Sequence, residues 1–306
     1  MHNALGALSP LDGRYSSSVK ELNAYFSEAA LMRYRVYVEV EYLIALGREK
    51  KIHELPALSD RQKNRLRSSY QKFDLNSAQI VKNIEAETNH DVKAIEYYIQ
   101  KHCGAKLHPW IHFALTSEDI NNISYTLMWC HAMKQVYVPM LTKLQRDLKA
   151  MAKRYRSVPM LSMTHGQPAT PTTFGKELGV LFKRIDRQMV QIKKQSFLGK
   201  LSGATGTWSA HTSAYPKMDW VKFTSKFVRS LGLQPNTVTT QIEPHDSMAE
   251  SFHQVLRINS ILKDLCQDLW MYVSRGILSQ KKVAGEVGSS TMPCLLYTSD
   301  AADEGL

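Results

Sequence analysis

The stretch between Thr116 and Ser157 most constrains how this chain can fold. It runs for about 40 residues with a single proline, Pro139, and its apolar residues recur at helical spacing. A single helix of this length would be roughly 60 Å long, which exceeds most globular helices. Because proline removes one backbone donor, we expect a kink near Pro139. The stretch therefore predicts an all-α fold whose second domain is a long-helix bundle.

Helical periodicity extends through most of the remaining sequence. Apolar residues recur every three or four positions over residues 19–50, where no proline occurs. Ser59 can cap a helix that continues to about Lys72. Strand patterns are nearly absent, and the best candidate is the short segment 237–242. Further helices are predicted around residues 80–84, 92–99, 172–199, 219–231 and 246–280.

The sequence divides near His108 and Pro109, where a compact first region meets the long-helix region. We therefore predict an N-terminal helical domain over residues 1–110 and a central long-helix bundle over residues 111–293. Residues 294–306 look like a translated sequencing-library adapter, so we expect this tail to be foreign to the fold and the bundle to be truncated. A natural, divergent terminus is the alternative.

Composition limits the classes of protein and partner. With 306 residues, 43% hydrophobic and 22% charged, the chain is globular and large enough for a substantial core. Its four cysteines show no close pairing, which favours a reducing cytoplasm over a disulfide framework or a zinc site. We expect no membrane partner, because no leader and no apolar run of about 18 residues is found.

The formal charge of +11 leaves three partners open: nucleic acid, an anionic membrane or a polyanionic small substrate. Lysines and arginines are scattered along the chain, and no nucleic-acid motif accompanies them. We therefore expect a solvated basic surface and no nucleic-acid partner.

Three polar segments interrupt the helical pattern. Residues 112–119 read HFALTSED, residues 164–170 read THGQPAT, and residues 285–293 read GEVGSSTMP. The last is a glycine-flanked serine pair, which suits a loop that closes over a substrate, although such a loop alone is more often a linker. Together and in this order, the three segments resemble the fumarase/aspartase superfamily, and the resemblance covers about residues 9–293.

Within that superfamily, residues 89–93 (NHDVK), 164–170 and 240–246 (TQIEPHD) favour the purine branch over argininosuccinate lyase and fumarase. The resemblance implies a carbon–nitrogen lyase that releases fumarate from adenylosuccinate, leaving AMP, and from the succinylated imidazole intermediate of purine synthesis. It implies no metal and no organic cofactor, and a homotetramer in the complete protein. A non-catalytic helical scaffold is the alternative from a different class. The resemblance also implies that the chain as given is inactive, because it ends inside the last motif.

The acid–base pair comes from two of these loops. A loop histidine such as His165 is a natural proton donor near neutral pH, although most such residues are ordinary surface residues. The resemblance makes His165 the general acid and Ser289 the general base. Serine is a poor base unless its surroundings stabilise the alkoxide, and nothing in the sequence shows such activation.

Substrate-binding candidates follow from local pattern and from the resemblance. Thr116 and Ser117, with Asp119 shortly after, are typical of a helix start, where free amides attract a carboxylate. For nearby His112 we expect a structural role. Asn89 or Asp91 can cap the following helix. The resemblance assigns substrate contacts to Asn89, His90, Asp91, Thr116, Ser117 and Gln241, and it makes Arg14, next to Tyr15, a phosphate ligand.

Overall fold

The computed structural model of the chain describes residues 4–279 and is predominantly helical, which confirms the all-α class. Short 3₁₀ helices cover Ala4–Gly6, Lys20–Leu22 and Ala105–Trp110. The α-helices of the described part are α1 (Asn23–Phe26), α2 (Glu28–Leu46), α3 (Asp60–Gln71), α4 (Leu75–Thr88), α5 (Asp91–Gln100), α6 (Ser117–Ala132), α7 (Val138–Arg154), α8 (Phe174–Lys194), α9 (Ser209–Ala214), α10 (Trp220–Ser230) and α11 (Asp246–Ser274). Its strands are β1 (Pro159–Thr164), β2 (Gln167–Thr173), β3 (Leu198–Gly199) and β4 (Gln234–Pro235).

The described residues form two compact units. The first unit contains residues up to 144 and residues 194–251, and the second contains residues 145–193 and residues from 252 onward. The division expected near residue 110 stays a prediction.

Helix α2 is the centre of the first unit. It is apolar around most of its circumference, and Val36, Val38 and Val40 are all fully buried. The ring of Tyr42 meets Phe227 of α10 at 5.6 Å between centroids, edge to face. The periodic stretch 19–50 is not one helix, because Ser27 is extended and caps α2 by accepting from the amide of Ala30.

The long stretch from Thr116 to Ser157 is helical almost throughout. Helix α6 is followed by a π-helical segment, Met133–Tyr137, and then directly by α7. The irregular segment lies just before Pro139, whose missing amide hydrogen cannot serve the regular helical ladder. A kink was expected near Pro139, and the structure has a π-helical segment just before this residue.

Helices α8 and α11 form much of the second unit. Ile185 of α8 and Ile258 of α11 are completely buried, and Arg184 pairs with Asp264 at 2.7 Å. The start of α8 approaches the end of α7 so closely that a Cβ on Gly175 would lie 2.4 Å from the carbonyl oxygen of Ala152. Only glycine fits there.

Two expectations about strands are wrong. Residues 237–242 form no strand, while β1 and β2 pair as an antiparallel hairpin that was not predicted. Pro159, Pro168 and Pro171 argue against strands in the sequence. Each strand of an isolated pair has a free edge, however, so a residue without an amide hydrogen is tolerated there.

Candidate active site

The first turn of α6 brings two of the predicted site residues together. Thr116 is the N-cap in extended conformation, and its amide donates to the Asp119 carboxylate at 2.9 Å. The Gln241 side-chain amide donates to Thr116 Oγ1 at 3.4 Å. Ser117 is the first helical residue. The predicted helix start is confirmed, and the Gln241 amide lies beside it.

The turn before this helix is strained, and side chains of α2 hold it in place by hydrogen bonds. His112 and Ala114 both have φ of 59°, a region that non-glycine residues rarely adopt. The buried Glu39 carboxylate accepts from the His112 amide at 3.2 Å and also pairs with its Nδ1, while Tyr42 Oη donates to the carbonyl of Phe113 at 3.1 Å. These contacts fix the turn that leads into Thr116.

The pKa of His112 is set by two opposing effects at this turn. Burial alone would lower the pKa of His112, but the nearby Glu39 carboxylate outweighs it and raises the pKa above its usual value. His112 is therefore bound to α2 through the Glu39 carboxylate, in line with the structural role expected for it.

Asp119 is completely buried, and both of its carboxylate oxygens accept hydrogen bonds. The sequence did not reveal this feature. Besides the Thr116 amide, the Asp119 carboxylate accepts from Lys200 Nζ at 2.7 Å and from the amides of Ser202 and Gly203 at 3.0 and 3.1 Å. Lys200, also completely buried, donates to the Gly203 carbonyl as well. The only signal in the sequence was the glycine-containing segment 202–206 (SGATG), which resembles an ordinary loop.

Two more carboxylates lie beside the helix start. Glu118 Oε1 is 3.9 Å from His245 Nε2, and Glu243 Oε2 is 3.4 Å from His245 Nδ1. Burial raises the pKa of Glu118 above its usual value.

The segment Asn89 to Asp91 is the junction of α4 and α5. Asn89 ends α4 in the left-handed conformation, with φ of 50°. The expectation that Asn89 or Asp91 caps α5 is wrong, because the N-cap is His90, whose Nδ1 accepts from the amide of Lys93 at 3.2 Å. The imidazole takes the place of the usual hydroxyl or carboxylate acceptor.

Arg35 connects this junction to α6. Its guanidinium pairs with Asp91 at 2.8 Å and donates to the side chain of Asn121 at 2.9 Å. Burial would raise the pKa of Asp91, but Arg35 and the Val92 amide together lower it below its usual value. Asp91 is therefore held as a carboxylate in the same unit as the α6 start.

The remaining predicted residues lie elsewhere in the chain. Arg14 and Tyr15 are in an exposed turn, with the Arg14 guanidinium 5.8 Å from the Tyr15 ring centroid. His165, in the second unit, is exposed and forms with Gly166 the two-residue turn of the β1–β2 hairpin, where φ is 50° and 72°. Ser289 lies outside the described residues.

Comparison with known proteins adds a family. The profile of the Lyase family (Lyase_1) matches residues 13–294. The adenylosuccinate lyases of Haemophilus influenzae and Escherichia coli K12 are each 46% identical over 296 residues, and that of Dictyostelium discoideum is 44% identical over 302 residues. Each alignment covers 95% of this chain but 65% of the relative, so the chain spans 65% of the length of these relatives.

A solved structure supports the fold. The crystal structure of fumarate lyase from Mesorhizobium sp. BNC1 superposes with a TM-score of 0.68 at 19% identity, covering 83% of this chain and 57% of that chain. The two chains therefore share a fold.

Among the described residues, no helix is long and apolar enough to cross a membrane.

Proposed function

This chain belongs to the lyase family, and on that premise we propose that it is part of an enzyme that cleaves adenylosuccinate to AMP and fumarate. The observation that carries the proposal is the 44–46% identity to adenylosuccinate lyases over 95% of the chain. The same elimination would release fumarate from the succinylated imidazole carboxamide intermediate of purine synthesis. We propose a cytoplasmic enzyme that uses neither metal nor organic cofactor.

We assign the succinyl carboxylate to the start of α6. The positive end of a helix favours an anion, and Ser117 and Thr116 add hydroxyl groups. The Gln241 amide, 3.4 Å from Thr116 Oγ1, adds a neutral donor at the same place. An enzyme of this class needs such fixed donors, because negative charge accumulates on the carboxylate when the neighbouring carbon loses its proton.

The proton transfers fall to Ser289 and His165. In the proposed reaction, Ser289 takes the proton from the succinyl carbon next to the carboxylate. The electron pair then forms the double bond of fumarate as the carbon–nitrogen bond breaks, and His165 donates a proton to the departing nitrogen. His165 suits a donor that must reach a substrate, since it is exposed at a hairpin turn.

The nucleotide half of the substrate is assigned to the remaining predicted residues. Arg14 and Tyr15 are proposed phosphate ligands, because an exposed guanidinium can bind phosphate through two hydrogen bonds. Asn89, His90 and Asp91 are proposed contacts near the leaving nitrogen. Asp91 is already paired with Arg35, so a polar ligand would meet an ordered surface.

Individual variants test the two catalytic assignments. His165→Ala and Ser289→Ala in the complete enzyme should each reduce the release of AMP and fumarate by about 10²–10⁴-fold, the usual contribution of a general acid or base. Helical circular dichroism should stay unchanged. Near wild-type turnover in either folded variant would remove that residue from the mechanism.

We also propose that the complete enzyme is a homotetramer whose sites draw residues from several subunits. The exposed apolar side chains of α11, Leu256 at 62% and Trp270 at 75%, support further association. Mixing inactive His165→Ala with inactive Ser289→Ala protein should then restore part of the activity. A fully active monomer in light scattering would contradict the assembly.

The 306 residues alone are proposed to be inactive, because they span 65% of the length of the adenylosuccinate lyase that they match. Joining residues 1–293 to the remaining part of the Haemophilus influenzae relative should produce turnover. Cleavage of adenylosuccinate by the 306-residue chain itself would overturn this part of the proposal.

A further inference from the structure

Residues 200–206 are tied rigidly to α6 at their first end. The Lys200 amide donates to Asn122 Oδ1 at 2.8 Å, and Asn122 Nδ2 donates back to the Lys200 carbonyl at 2.9 Å. The carboxylate of Asp119 accepts hydrogen bonds from the backbone amides of Ser202 and Gly203. The side chains of Asn122, Lys200, Asp119 and Ser202 are all completely buried. This end of the segment is therefore joined to α6 by several buried hydrogen bonds.

The other end of the segment is pressed against the loop that contains Gln241. Gly206 has φ of 75°, and a Cβ built on it would lie 2.2 Å from the carbonyl oxygen of Thr239 and 2.7 Å from that of Thr240. Any larger residue would have to displace the backbone of this loop. Ser202 Oγ also lies 3.4 Å from Thr239 Oγ1.

These contacts connect α6 back to its own first residue through two loops. From α6 they pass through residues 200–206 to Thr239 and Thr240, and the next residue, Gln241, donates to Thr116 Oγ1 at the α6 start. The lack of a side chain at Gly206 lets the loop that carries Gln241 lie this close to residues 200–206. We propose that residues 200–206 are a spacer that holds Gln241 against Thr116, with Gly206 as the positioning residue. The inference rests on the proposed function, which assigns this contact to substrate binding.

A pair of glycine substitutions tests the spacer. Gly206→Ala adds a Cβ that must push the Thr239 loop away, whereas Gly232→Ala adds one in open space. Both positions have positive φ, 75° and 87°, so both variants carry the same kind of backbone strain and only the first displaces the loop. Gly232→Ala is therefore the matched control.

The first measurement needs no activity. Hydrogen exchange on the 306-residue chain should show amide exchange in residues 237–245 faster by about tenfold or more in Gly206→Ala, and unchanged there in Gly232→Ala. The second uses residues 1–293 joined to the remaining part of the Haemophilus influenzae relative. There the KM for adenylosuccinate should rise about tenfold or more in Gly206→Ala, with a smaller change in kcat, because a substrate contact is misplaced.

Equal exchange and equal KM in the two variants would overturn the inference. So would faster exchange spread over the whole first unit in Gly206→Ala, since that would make the glycine merely structural. If Gly206→Ala does not fold, Ser202→Ala replaces it, and its smaller increase in exchange must still be confined to residues 237–245. If the unmodified enzyme does not cleave adenylosuccinate, the proposed function fails, while the exchange experiment still decides whether the spacer exists.

Discussion

The buried His211 should make the first unit sensitive to acid. Its side chain is completely buried, its ring centroid lies 4.8 Å from that of Trp220, and its Nε2 is 3.1 Å from Tyr42 Oη. Its Nδ1 has no hydrogen-bond partner among the described residues. Burial lowers the pKa of His211 to about 4, because the cationic ring would lose its hydration.

The sign and size of the effect follow from that pKa. In the unfolded chain the imidazole titrates near 6.5, so on acidification the unfolded state takes up a proton before the folded state does. Above about pH 6.5 the imidazole is neutral in both states, so the free energy of unfolding keeps its full value. It decreases as the pH falls from there toward about 4. Between about pH 7.5 and pH 5, His211 alone should lower the free energy of unfolding by about 2 kcal/mol.

Urea unfolding followed by tryptophan fluorescence measures this contribution. His211→Gln cannot titrate, so its free energy of unfolding should fall about 2 kcal/mol less than that of the wild type between about pH 7.5 and pH 5. The exposed His53→Gln controls for the substitution itself. If the wild type and His211→Gln lose the same stability over this range, the buried neutral histidine is refuted.

Three further changes should alter stability. Ser59→Ala removes the capping hydroxyl of α3 and should lower the free energy of unfolding in urea by about 1 kcal/mol; no change would mean that the cap is not needed. Lys200→Met leaves Asp119 buried without its cation and should cost about 3–5 kcal/mol, and a loss below about 1 kcal/mol would contradict the buried ion pair. Gly175→Ala should lower the thermal midpoint, because its Cβ would overlap the Ala152 carbonyl oxygen; an unchanged midpoint would disprove that close approach.

Local sequence signals predicted the helices well where one short pattern decides the structure. Ser59 specifies the start of α3, and Thr116 with Asp119 specifies the start of α6, because each signal lies within four residues. The β1–β2 hairpin was missed because its prolines usually exclude strands. Its two-residue turn at His165 and Gly166 needs positive φ at both positions. A histidine in the sequence does not predict such a backbone conformation.

The candidate site was only partly accessible from the sequence. Its residues came from resemblance, whereas the supporting contacts join distant parts of the chain: Gln241 and Thr116 are 125 positions apart, and Lys200 and Asp119 are 81 apart. No local pattern predicts such pairs. The roles of His165 and Ser289 stay predictions.

Substrate cleavage by the completed enzyme tests the central claim most directly. Residues 1–293, joined to the remaining part of the Haemophilus influenzae relative, should convert adenylosuccinate to equal amounts of AMP and fumarate, and the rate should be the same with and without a metal chelator. His165→Ala in the same protein should lower that rate by about 10²–10⁴-fold. A folded protein that releases no fumarate from either succinylated purine substrate, or that turns over argininosuccinate only, would contradict the proposed function.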